Sequence, residues 1–243
     1  MRTIQLLLAL ALLPGASNGQ GYGLLNLYQV GSTTFEDRPI GGRTITTNSV
    51  LLGGKFLEVD RFFFVWDASS IMRALLTGGA KADKGFRFTD DQGAQAMDLP
   101  TWSLRYGWMA DNIGFGLDAD IRSLYLRCPV DSLSSGYYQF NTDAGFGDLN
   151  FGLVACGYFE LGKVVSINPT IGWDMMFLER EATPVDGHLF FVECPVQLWL
   201  LGNFGVNVEP DLQIRRVKTT DAEDKYPQTM FALKLGIAYH LPD

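Results

Sequence analysis

The chain has 243 residues, with 27 acidic against 19 basic side chains and a formal net charge of −8. That balance argues against a nucleic-acid partner, because phosphate binding calls for a basic surface. No apolar run after the N-terminal stretch reaches the roughly 18 residues of a membrane helix, so any membrane residence falls to strands.

The chain opens with Met1-Arg2, a greasy run from Ile4 to Leu13 and the small residues Pro14 to Gly19. This is the pattern of a secretory signal peptide over 1–19, with Ser17 and Gly19 placed for a cut ahead of Gln20. No cysteine follows the run, so a lipid anchor is not indicated. Removing Arg2 makes the balance more acidic still, and residues 20–243 read as one β-rich domain. Three cysteines, Cys128, Cys156 and Cys194, would cross an oxidising compartment. Their odd number, and the expected placement of Cys156 and Cys194 on opposite faces of non-adjacent strands, predict free thiols. No close Cys or His spacing supports zinc, and no cofactor is expected.

Successive side chains of a strand point to opposite faces, so period-two alternation marks the strands in order. Tyr22 to Val30 is short and ambiguous; Thr46 to Leu57 follows, and Glu58-Val59-Asp60 turns into Arg61 to Arg73. A polar link from Ala74 to Leu99 leads to Thr101 to Met109, and Ala110-Asp111 turns into Asn112 to Arg127. A polar loop from Cys128 to Ala144 precedes Gly145 to Glu160, which turns at Leu161-Gly162 into Lys163 to Leu178. A loop from Glu179 to Gly187 leads to His188 to Leu201.

After Gly202-Asn203 comes the clearest strand, to Arg215. Phe204, Val206, Val208, Pro210, Leu212 and Ile214 oppose Gly205, Asn207, Glu209, Asp211, Gln213 and Arg215. The link Lys218 to Pro227 returns to Gln228 to Leu241.

Short connections near 58–60, 110–111, 161–162 and 202–203 alternate with longer ones. That asymmetry, short turns toward the periplasm and longer loops outside, is the sequence signature of an outer-membrane barrel. The fold class is therefore all-β: one up-and-down antiparallel transmembrane β-barrel of about ten strands, or eight if the first two do not span. Large apolar residues on one face end in aromatics such as Trp102, Trp108, Tyr125, Phe159, Phe177, Phe190, Phe204 and Tyr239, as a lipid-facing wall with aromatic girdles requires. An interior holding all of these side chains would be overfilled, so lipid belongs outside.

The last strand carries Lys234-Leu235-Gly236-Ile237-Ala238-Tyr239-His240-Leu241. It resembles the assembly signal of small bacterial outer-membrane β-barrel proteins, and the likeness extends over residues 20–243. Leu241 stands where an aromatic residue is usual, and Pro242-Asp243 extend past it. The resemblance implies residence in the bacterial outer membrane, lipid on the outer wall and the barrel assembly machinery as a partner of the C-terminal strand. A monomer is expected.

The polar faces carry charges of both signs. Folding the hairpins about their connections brings Arg122 to Asp148, Asp148 to Asp174, Asp174 to Glu193, Glu193 to Asp211 and Asp211 to Lys234, with Arg105 near Asp118 in a lower tier. Asp120, Glu209 and Arg215 join the same lumen charge network, and Lys55, Asp67 and Arg73 lie on polar faces outside it.

Three readings stay open. The first is a structural or surface-interaction barrel whose interior charges survive by pairing. The second is a narrow pore that favours cations. The third is an outer-membrane hydrolase built on crowded carboxylates or on His188 with Asp186 near the outer rim. No residue is assigned a catalytic role, and His188 reads better as a surface-loop histidine. Asp118-x-Asp120 has the spacing for a divalent cation, but Arg105 and Arg122 nearby favour salt bridges. The Gly114-x-Gly116 and Gly145-x-Gly147 pairs lack a following helix, so they read as packing glycines, not a phosphate cradle. Pro169, Pro195 and Pro210 fall mid-strand in three consecutive strands and predict bulges or a weakened patch.

Overall fold

The computed structural model describes residues 20–35, 43–67, 88–89, 95–98, 102–122, 124–129, 137–140, 148–180, 183–218 and 228–241. The N-terminal stretch 1–19, Arg73 and most of the links at 74–99 and 128–144 lie outside them. Ten antiparallel strands close a barrel. They are β1 (Gln20–Phe35), β2 (Arg43–Val59), β3 (Phe62–Asp67), β4 (Trp102–Ala110) and β5 (Ile113–Arg122). The second half comprises β6 (Asp148–Gly157, continued by Phe159–Leu161), β7 (Val165–Ile167, continued by Thr170–Arg180), β8 (Thr183–Glu193, continued by Val196–Leu201), β9 (Phe204–Lys218) and β10 (Gln228–His240).

Each strand pairs with the next, Phe204 of β9 lying opposite Tyr239 of β10, and β10 closes the ring on β1, with Tyr22 opposite His240. Because β1 pairs along its length with both β2 and β10, the eight-strand alternative falls. Closure also removes the unpaired edges that an open sheet presents.

The tight turns gather at one end: Asp60-Arg61, Asp111-Asn112, Gly162 to Val164 and Gly202-Asn203. Several lie one or two residues later than the sequence suggested. The residues that accept a left-handed backbone set the position: Asp111, Gly162 and Gly202 have φ of 54°, 67° and 56°. Short turns face the periplasm in this class, which orients the barrel. The region expected as a loop from Glu179 to Gly187 is instead mostly strand, with Arg180 opposite Thr183. Polarity does not end a ladder, because backbone groups pair whatever the side chains are. Beyond the outer end of β5, the short strands Phe88–Thr89, Gln95–Asp98, Leu124–Pro129 and Tyr137–Phe140 form a separate sheet; three lie within the expected loops, whereas Leu124–Pro129 takes the outer end of the strand expected as Asn112 to Arg127, which leaves the barrel after Arg122.

The prolines do not make bulges. Cys156 opposite Thr170 and Phe159 opposite Ile167 share one register across Pro169, as do Glu193 opposite Asp211 and Val196 opposite Val208 across Pro195 and Pro210. One ladder bond survives at each proline: Gly157 N donates to the Pro169 carbonyl (2.7 Å), Asn168 N to Pro195 (2.9 Å) and Cys194 N to Pro210 (3.0 Å). The reciprocal bond is missing because proline has no N–H. The row is thus a seam of halved hydrogen bonding with the register intact. The irregularities lie elsewhere, at Leu27 in β1 and near Leu200 in β8.

The interior is not wholly polar either. Tyr22, Leu57, Phe63, Val65, Met109, Leu189 and Phe191 form a buried apolar cluster. Glycines make room for its rings: a Cβ on Gly114 or Gly116 would come within 2.8 Å of Phe63, and one on Gly172 would collide with Phe191. Mid-strand glycine here permits close approach of a ring to the wall.

Candidate functional site

The alternation that builds the strands turns one side chain of every pair inward. Lys55 on β2, Arg105 on β4, Asp118 on β5, Glu193 on β8, Glu209 and Asp211 on β9 and Lys234 on β10 meet near the middle of the lumen.

Glu193 is the hub. It takes Nη1 and Nη2 of Arg105 at 2.7 and 2.9 Å, and Nζ of Lys55 at 3.0 Å. Arg105 Nε also lies 3.4 Å from Asp118, and its guanidinium sits 4.5 Å over the Phe191 ring. Lys55 continues to Glu209 (2.9 Å), which meets Lys234 (3.0 Å), which reaches Asp211 (3.2 Å). The seven groups alternate in sign along one chain of contacts, the arrangement that lets charges endure out of bulk water.

Amides extend the network toward the periplasm. Asn26 Nδ2 donates to Glu209 (3.4 Å), Asn207 to Asn26 (2.9 Å) and Gln197 to Asn207 (3.2 Å). Gln213 donates to Asp211 at 2.9 Å.

Toward the outer side lies an acidic group. Asp118, Asp120 and Asp174 are buried, and each has a carboxylate oxygen within 4.8 Å of the others. Asn150 Nδ2 donates to Asp120 at 2.5 Å. Among the described residues this is the set whose spacing would suit a cation.

Several expected neighbours move. Arg122 is opposite Asp148 and Glu193 opposite Asp211, but Asp174 is opposite Gly152 and Leu189, four residues away from Asp148 and Glu193 along the ladders. The turn over Gly162 to Val164 and the extended β7–β8 hairpin displace those registers. Lys234 is opposite Glu209 and still reaches Asp211. Arg105 belongs to no separate lower tier, since it bonds Glu193 directly. Arg122, Asp148 and Arg215 are placed by backbone register alone, Arg215 opposite Leu189 and Gln228.

Of the candidate hydrolase pair, Asp186 is placed by backbone register alone, opposite Phe177 and Lys218, and His188 is described in full. It lies in β8, not in a loop, and stacks on the outward-facing Trp173 with ring centroids 5.4 Å apart. His240 sits at the periplasmic end, edge-on to Tyr22 at 4.9 Å and to Trp199 at 5.9 Å. Cys156 and Cys194 are free.

Lys55 is the residue whose importance the sequence concealed. Its partners come from β8 and β9 across the lumen, and hairpin folding relates only adjacent strands. The polar residue in an inward position of β2 was the available signal.

The outer wall decides the setting. Leu117 and Leu153 are 66 % and 61 % exposed, whereas Asp120, Asp174 and Glu209 are at 0 %. A wall that presents leucine and hides carboxylate is solvated by hydrocarbon, not water. Aromatics border it, with Phe62 stacked on Tyr106 and Phe204 beside Tyr239 near the periplasmic turns. The chain is a β-barrel of the membrane-spanning kind.

No protein-family model matches the chain, and no curated protein does. Among solved structures it is similar to the outer membrane protease OmpT from Escherichia coli, at 10% identity over 93% of this chain and 98% of that one, with a TM-score of 0.41. It is also similar to the outer membrane protein OprG from Pseudomonas aeruginosa, at 11% identity over 93% and 97%, TM-score 0.37. A third similar structure is Ail, the attachment invasion locus protein of Yersinia pestis, at 8% identity over 92% and 100%, TM-score 0.29. None of the three lends this barrel an activity.

Proposed function

We propose that this barrel is a closed, charge-filled anchor whose role is structural or surface-interacting, its outer connections offered to the cell exterior. One observation carries the reading: Glu193 on β8 is held at once by Arg105 on β4 and Lys55 on β2, so ion pairs span the lumen. An ion crossing here would have to part contacts of 2.7 to 3.0 Å between groups that are all buried. Lipid on the wall, and assembly machinery engaging β10, are the partners this reading implies.

The test is planar-bilayer conductance of the refolded protein. The expected record is silent at high protein load, with steps appearing when Arg105 and Glu193 are both replaced by alanine. Steady cation-selective steps from the unaltered protein would overturn the reading. They would favour the second one, a cation pathway, for which the cluster of Asp118, Asp120 and Asp174 on the outer side of the network speaks.

A further inference from the structure

Beneath the ion-pair network, on the periplasmic side, lies a cavity of about 30 Å³. Lys55, Arg105 and Glu193 border it, together with an apolar side of Leu57, Val65 and Met109. Asn168 and Thr170 of β7 supply its polar side. Asn168 is 5 % exposed, yet neither its Oδ1 nor its Nδ2 finds a partner among the described residues. A buried amide of this kind is costly unless something hydrogen-bonds it.

The space sets the size of that partner. A site of roughly 10–15 Å³ on this measure holds one water, so about two fit here. Asn168, Thr170 and Glu193 with its two cations are the polar residues of a lining that is otherwise largely apolar.

The route in is equally specific. Tyr158 borders the cavity and also donates to Glu160 at 2.8 Å, and Glu160 is exposed at the periplasmic end. The Tyr158 hydroxyl also bonds that of Tyr22, whose ring packs tilted against Trp199 and edge-on to His240. Tyr158 thus stands between the cavity and the exposed Glu160, with the ion pairs on the opposite side.

We infer that this cavity is a binding site for water, two molecules bridging the Asn168 amide to Thr170 and Glu193, and that it fills from the periplasm past Tyr158. The lumen is then a blind well, sealed outward and wetted from within. This goes beyond the closed-anchor reading and is tested separately from it, since conductance examines the seal and the experiment below examines the floor.

The reporter is Cys156, which borders the cavity, in a full-length protein carrying Cys128→Ser and Cys194→Ser. Iodoacetamide, a small neutral reagent, is added to the protein refolded in lipid vesicles that are open to it on both faces. The expected alkylation of Cys156 is slow with Tyr158 in place and at least tenfold faster in Tyr158→Ala, with Tyr158→Phe between. Equal rates in all three would overturn the route. The water itself is tested by Asn168→Leu, which keeps the size and removes the amide. A hydrated site predicts an unchanged or lower urea midpoint, whereas a dry cavity predicts a rise, and a rise overturns the proposal whether or not the tyrosine variants fold.

Discussion

Glu193 and Arg105 face each other across the lumen through two parallel hydrogen bonds of 2.7 and 2.9 Å, although β8 and β4 are not neighbours in the wall. Such a pair is costly to break from one side only, because the remaining charge stays buried. Glu193→Ala should destabilise the barrel by about 3–5 kcal/mol, leaving both Arg105 and Lys55 short of an anion. The double variant Arg105→Met, Glu193→Leu should lose less than the two single variants combined, since each substitution removes the charge the other leaves unpaired, while Asp118 loses its cation whenever Arg105 is replaced. Urea unfolding in detergent micelles measures all three; losses that simply add would show that Arg105 and Glu193 do not act as a pair.

The Phe191 ring occupies the space a side chain on Gly172 would need. Gly172→Ala should cost about 1–3 kcal/mol through overpacking, and pairing it with Phe191→Leu should recover part of that loss. Additive losses in the unfolding midpoint would mean that the contact is not the cause.

At the proline seam, Pro210→Ala supplies an N–H opposite the Cys194 carbonyl. The new bond contributes about 0.5–1.5 kcal/mol, offset by roughly 0.4–1 kcal/mol from the freer unfolded chain. Net stability should therefore move by less than about 1 kcal/mol, and hydrogen exchange should find the new amide protected. Rapid exchange there would show the strands parted at this height.

Leu117 and Leu200 are equally exposed, at 66 %, but Leu117 is mid-strand and Leu200 is close to the Gly202 turn. In a bilayer, Leu117→Arg should cost about 2–4 kcal/mol and Leu200→Arg about 0–1 kcal/mol. Water would treat the two alike, so equal losses on refolding into lipid would refute a hydrocarbon-covered wall.

The strands were legible because each spans two media and alternates for that reason, and even the choice of face, inside or out, followed from where aromatics gather. Pairings across connections whose centre could be counted, such as Arg105 with Asp118 and Glu193 with Asp211, were legible too. Asp174 was misplaced because a three-residue turn at Gly162 and two extra strand ends past Leu178 shift a register without disturbing any alternation. Phe63 and Phe191 each sit beside an outward phenylalanine in the same strand; alternation with Phe190 out and Glu193 in turns Phe191 inward, and the glycines opposite both rings mark the room they take there. Lys55 was out of reach because nothing local ties it to residues 138 and 154 positions away.

Those separations bear on how the molecule comes into being. Lys55 and Arg105 are made long before Glu193 and Glu209; the early β4–β5 hairpin offers Arg105 only Asp118, at 3.4 Å, so the first half of the wall must wait, hydrated, for the rest of its counter-charges. The last step of insertion is then also the one that dries the centre: when β10 meets β1, solvent leaves and the ion pairs latch together. Closure of this protein should be abrupt, with few half-zipped forms that survive in the bilayer.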